Sequence, residues 1–221
     1  MAEGEQTGPE ARYGLLLVTL VAAYLVSAVS DSTWADAVHV GLVVVIALLA
    51  VRHTRLRPRG NLLVIGVTLP TAIAAGIGLT SASRPAEGIA DIWNGLVLLL
   101  TVVVIIDRVV RLEQVTAQSI YAALSTYLLI GLMFASFFGA LGFLVSGPFF
   151  ADGQPVNSQT LQYFSFTTLT TLGYGDFTAA GSLGRALAVL EALAGQVFLA
   201  TLVARLVSAY AGGRRRPPSG E

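Results

Sequence analysis

Six apolar stretches, separated by short polar ones, set the plan of the chain. They run at 13–30, 34–51, 61–80, 89–106, 119–147 and 182–210. Each of the first four is close to the ~20 residues that a helix needs to cross a hydrocarbon core. The fifth is long enough to cross with tilt. Residues 107–118 interrupt the pattern, because Val109, Val110, Leu112 and Val115 interleave with Asp107, Arg108, Arg111 and Glu113. That alternation predicts a short amphipathic helix lying on the membrane surface and linking the fourth run to the fifth. Residues 148–181 are only partly apolar, and Asn157 or Ser158 can cap a short helix there that ends near Thr170. The ends, 1–12 and 211–221, are polar tails. The opening carries Glu3, Glu5 and Glu10, whereas a cleaved signal peptide wants a positive start.

The expected fold class is therefore an all-α membrane protein with six transmembrane helices and one re-entrant helix. Residues 13–106 form a four-helix domain, 107–118 a linker helix and 119–210 a second membrane domain. Composition agrees. At 55% hydrophobic, 12% charged and mean hydropathy +0.75, a soluble domain of this length could not hide its apolar surface. The absence of Cys excludes disulfides and thiolate chemistry, and two His leave no metal constellation. No nucleophile–base pair is visible, so neither an enzyme nor a cofactor is expected. Nothing points to nucleic acid.

The net charge of zero hides an asymmetry, since all 13 basic residues are Arg. With the N-terminus inside, the cytoplasmic side collects Arg12, Arg52, Arg55, Arg57, Arg59, Arg108, Arg111, Arg205 and Arg214–Arg216. Only Arg84 and Arg185 remain outside, and Trp34 and Trp93 fall at the outer interface. The expectation is a multi-pass protein of the plasma membrane with both termini cytoplasmic.

One string is far more specific than these bulk properties. Thr171-Leu172-Gly173-Tyr174-Gly175-Asp176 follows a threonine-rich apolar stretch and lies between the last two long runs. A Gly-Tyr-Gly-Asp surface turn has the same composition, but not this setting. The string resembles the signature of the tetrameric potassium-channel superfamily, with Leu172 where Val is commoner. The chain's plan is similar to the six-helix form of that family. The specific likeness covers roughly 119–210, and the first four helices match by count and topology alone.

The resemblance implies a homotetramer in a lipid bilayer, with K+ as permeant ion and a selectivity filter at Thr171, Leu172, Gly173, Tyr174 and Gly175. Stacked backbone carbonyls replace the water shell of a dehydrated K+. Aiming successive carbonyls at one axis needs glycine at positions of positive φ, which Gly173 and Gly175 supply. Leu172 and Tyr174 then point away from the ion, and the Thr171 hydroxyl offers the innermost oxygen. Asp176 closes the string at the outer mouth. A re-entrant helix ending near Thr170 turns the negative end of its dipole toward the cavity below.

Tyr163 and Phe164 sit where family members carry aromatic residues that brace the filter, with Thr170 beside it. Gly195 lies where they often carry a gating hinge, although a transmembrane glycine also serves close packing. Glu191, in the sixth run, is a carboxyl that either braces hydroxyls behind the filter or enters the ion path; bracing is the preferred reading. His39 near the outer end of the second helix could report pH or serve the interface. Pro70 is expected to kink the third.

The departures matter too. Residues 92–106 carry none of the regularly spaced basic residues of a voltage sensor. The arginines at 52–59 sit among Pro58 and Gly60 and read as a topology determinant. The leading function is therefore potassium-selective conduction without strong voltage sensing. A weakly selective cation pore is the alternative among channels, since Leu172 could alter filter packing. A membrane subunit that mainly binds a regulatory partner is another. An active transporter would need paired half-repeats, and only one re-entrant candidate is present.

Overall fold

The computed structural model describes residues 11–29, 83–110 and 116–213. These residues form five helices: α1 (Ala11–Val29), α2 (Arg84–Val110), α3 (Ala117–Leu144), α4 (Ser158–Leu169) and α5 (Ser182–Gly213). Among the described residues α2, α3 and α5 are long and apolar enough to cross a membrane. The second and third apolar runs lie outside the described residues, as do Trp34, His39, the arginines at 52–59 and Pro70.

The linker expected at 107–118 is divided differently here. Residues 107–110 continue α2, and 117–118 open α3 behind an N-cap at Thr116. A cap explains the boundary: Thr116 accepts from the Ser119 amide while the Ser119 hydroxyl reaches back to the Thr116 amide. Residues 111–115 lie outside the described residues.

So short a connection makes α2 and α3 antiparallel neighbours. Arg84 at the start of α2 donates to the Gly142 carbonyl near the end of α3 at 3.0 Å. Midway, Asn94 donates to the Ser136 hydroxyl at 2.8 Å. Glycines set the spacing, since a Cβ on Gly95 would lie 2.6 Å from the Phe137 ring. Small residues of this kind let membrane helices approach closely, and polar side chains then bond across the gap. On its other flank α3 receives α1, whose Leu16 and Leu20 are buried. Tyr24 of α1 also meets Phe166 of α4 edge-on, with centroids 4.8 Å apart.

The chain leaves α3, crosses a surface segment and enters α4. An aromatic cluster fills this corner. Phe138, Phe149, Phe150 and Phe164 pack mainly edge-to-face, with Phe138 and Phe150 fully buried. A small antiparallel bridge between Phe150 and Ala179 ties the segment before α4 to the one after it. The Ala151 amide donates to Thr178 O and the Ala180 amide to Phe149 O, each at 2.8 Å. Helix α5 returns antiparallel to α3: Gly184 lies against Phe149, and further along Phe198 stacks 5.9 Å from Tyr127. The start of α1 lies beside Tyr121 in the first turns of α3. The described starts of α1 and α3 and the end of α5 therefore share one end of the molecule. Residues 171–176, Arg84 and Arg185 belong to the opposite half.

Candidate functional site: the 158–176 loop and its supports

Helix α4 starts where its sequence allows. Asn157 is the N-cap, accepting from the Thr160 amide at 2.9 Å, and the Thr160 hydroxyl receives the Asn157 amide at 3.2 Å. Its inner face carries Phe164, Ser165 and Leu169, all buried. Ser165 is clasped from both sides. Its hydroxyl lies 2.7 Å from the Gly131 carbonyl of α3 and 2.5 Å from Glu191 Oε1 of α5. A hydroxyl has one proton to give. The Ser165 hydroxyl faces both oxygens as a donor, so its single proton is shared between the Gly131 carbonyl and Glu191 Oε1.

Glu191 is fully buried, and one turn later Gly195 meets the end of α4. A Cβ there would collide with the Leu169 carbonyl oxygen and sit 2.9 Å from Leu169 Cδ1. The same carbonyl accepts from the Tyr127 hydroxyl at 3.3 Å. Gly195 thus packs closely on the end of α4, within an uninterrupted α5.

Thr170 closes α4 as its C-cap and bonds its hydroxyl to Phe166 O at 2.7 Å. The chain then folds back on the helix. The amides of Leu172 and Gly173 both donate to Thr167 O, at 2.8 and 3.1 Å, and that of Thr171 donates to Thr168 O at 2.9 Å. Orphan carbonyls at the helix end are thereby satisfied by the strand that follows. Handedness alternates along that strand. Thr171, Gly173 and Gly175 have φ of 57°, 50° and 83°, while Leu172 and Tyr174 between them stay negative. Among the described residues, no backbone amide donates to the carbonyls of residues 171–175. Every residue from Thr170 to Asp176 is exposed on this chain, Leu172 by 54% and Tyr174 by 68%.

Asp176 is held rather than free. The Tyr163 hydroxyl donates to Asp176 Oδ2 at 2.7 Å, and the Phe177 amide to Oδ1 at 3.2 Å. Gln154 donates to the Asp176 carbonyl at 2.8 Å. Donation to the carboxylate, followed by burial and the nearby negative charge, pushes the Tyr163 phenol up to about 12. The Tyr163 ring rests on Phe177, 5.4 Å away.

The supports expected from the sequence thus separate into distinct jobs. Tyr163 reaches the string itself, through Asp176. Phe164 lies one layer back, in the aromatic cluster. Thr170 ends the helix and accepts the Thr171 hydroxyl on its carbonyl at 2.7 Å. Glu191 meets Ser165. Leu172 and Tyr174, expected to face surrounding protein, are left largely uncovered by the described residues of this chain. Ser165 is among the hydroxyls that the bracing reading of Glu191 named only as a class, and three contributors were missed: Tyr127, Gln154 and Gln196, whose amide donates to Thr171 Oγ1 at 3.3 Å. Only Gln196 left a signal, as a polar residue inside the last apolar run.

Residues 130–211 match the family model described as Ion channel. The matched stretch holds most of α3, all of α4, the 171–176 string and nearly all of α5, and it supports an ion-channel domain there. No curated protein matches the chain.

Proposed function

We propose that the chain is one subunit of a potassium-selective channel, and that K+ passes a column of carbonyl rings supplied by residues 171–175 of four copies. One observation carries this reading. Left-handed backbone at every second residue, 171, 173 and 175, is what turns successive carbonyls of a strand to the same side. The amides of Leu172 and Gly173 are committed to Thr167, and no backbone amide among the described residues donates to the carbonyls of 171–175. A row of carbonyls without amide donors at membrane depth is tolerable only where it lines an ion or water path.

The need for further copies comes from exposure. Leu172 and Tyr174 stand uncovered beside the row, and so do Leu183, Val189, Leu193, Val197 and Val203 along α5. A single row also gives an ion too few ligands, and a ring closes only by rotational symmetry. In this arrangement both termini lie on the cytoplasmic side of the plasma membrane, in keeping with the arginine asymmetry. Voltage has little to act on, because residues 92–106 carry no basic residue.

Purified protein in liposomes tests this. Flux of K+ should greatly exceed that of Na+, and Ba2+ should block, since it carries twice the charge into a K+ site. Comparable K+ and Na+ flux would instead make the chain a weakly selective cation pore.

A further inference from the structure

Among the described residues, Gln196 is the polar side chain of α5 that reaches the string. It follows Gly195, and the missing Cβ of that glycine lets α5 close on the Leu169 carbonyl. The close approach brings the Gln196 amide beneath Thr171, with Nε2 3.3 Å from Oγ1. Proton counting fixes the direction of the bond. The Thr171 hydroxyl spends its single proton on Thr170 O at 2.7 Å, so Oγ1 can only accept from Gln196. Of the two lone pairs on Oγ1, one meets the Gln196 N–H and one is left over. The bond to Thr170 O holds the hydroxyl in this position.

We propose that Gln196 is a positioning residue for the innermost cation site, weakening the Thr171 hydroxyl as an ion ligand by occupying one of its lone pairs with an N–H. This rests on the reading of residues 171–175 as the ion path. An N–H pointed at a ligand oxygen withdraws electron density from it and presents a positive dipole toward the ion. The consequence is a shallow last site, from which K+ leaves readily toward the α5 C-terminal side. Conduction requires sites that are not too deep.

The test is a double-mutant cycle read with Ba2+ applied from the side of the α5 C-terminus. Gln196→Met keeps length and removes the donor; Thr171→Ala removes the acceptor. Gln196→Met alone should tighten Ba2+ block roughly three- to tenfold, the range expected for one modest hydrogen bond, and lower single-channel K+ conductance. In the Thr171→Ala background the same change should shift block by less than about twofold, because the coupling is gone. Variants that conduct poorly are read by the Ba2+-induced shift in melting temperature of the purified protein. An unchanged or loosened block in Gln196→Met overturns the proposal, as does an equal shift in both backgrounds, which would mean that Gln196 acts on the ion directly. The K+/Na+ flux ratio of the unmutated protein is measured alongside. A poor ratio with an intact cycle condemns the selectivity reading, and a high ratio with no coupling condemns the role of Gln196.

Discussion

The two faces of residues 158–176 follow opposite rules. Behind α4, Phe164, Ser165 and Leu169 are buried, and α3 and α5 close on them through Gly131, Tyr127, Glu191 and Gly195. In front, residues 170–176 are all exposed. The described residues of one chain therefore build the support behind the string but only one side of whatever the string encloses. Each face should consequently fail in its own way when altered, the front by losing selectivity and the back by losing stability.

The largest effect is expected at the front. Gly173→Ala puts a Cβ on a residue of φ 50°, a conformation that L side chains rarely adopt, although no neighbour within the chain crowds it. The carbonyl must turn, and selective K+ flux should disappear while the protein still folds. Retained selective flux in liposomes would show that the string does not form the ion path.

At the back, Glu191→Leu removes the partner of a buried hydroxyl. It should destabilise the protein by about 1–3 kcal/mol per chain, read as a lower melting temperature and faster loss of current. Glu191→Gln can still bond Ser165 and should preserve both folding and conduction. If Glu191→Gln cuts conductance and leaves the melting temperature untouched, the carboxyl faces the ions and the two-face distinction fails.

Tyr163 joins the faces, so a smaller and kinetic effect is expected there. Tyr163→Phe loses the bond to Asp176 and should make current decay faster in a maintained recording, roughly two- to tenfold. The pH dependence has a definite sign. A phenol whose pKa rises on folding, from 10.0 to about 12, stabilises while protonated. Its contribution is complete below about pH 10 and is lost as pH climbs through about 12. Wild-type decay should therefore be flat with pH through the neutral and mildly alkaline range, as far as Tyr163 sets it. Equal decay in the two proteins would mean that Asp176 needs no tether.

Voltage should matter least. Moving one charge through the whole field is worth about 2.3 kcal/mol per 100 mV, and α2 offers no basic residue between Ile92 and Ile106. Open probability should change only weakly with voltage. A bilayer recording with an effective gating charge of several units would place the sensor elsewhere in the chain.

Much of this was legible in the residues. Period-free apolar runs located α2, α3 and α5, because a membrane span is recognised by length and hydropathy alone. The Asn157 cap and the end of α4 near Thr170 followed from local chemistry, and the positive φ at Gly173 and Gly175 from the need to turn carbonyls. The positive φ of Thr171 was not legible, since threonine normally avoids it and only the fold-back onto Thr167 and Thr168 explains it. The particular partners, Ser165 for Glu191 and Gln154 for Asp176, could not be singled out, for a different reason. They are 26 and 22 residues apart, and a lone Ser or Gln has no pattern until packing chooses its neighbour. For Gly195 the sequence left hinge and packing open, and the Leu169 carbonyl beside it favours packing.

The central claim is that four copies turn the carbonyls of residues 171–175 toward one axis and hold K+ between them. A cryo-electron microscopy map of the purified protein in K+ examines it most directly. Four-fold particles should appear, with a column of density on the axis level with Thr171 to Gly175, and the column should change when Na+ replaces K+. Particles of another symmetry, or a four-fold particle whose 171–175 carbonyls face away from an empty axis, would contradict the account.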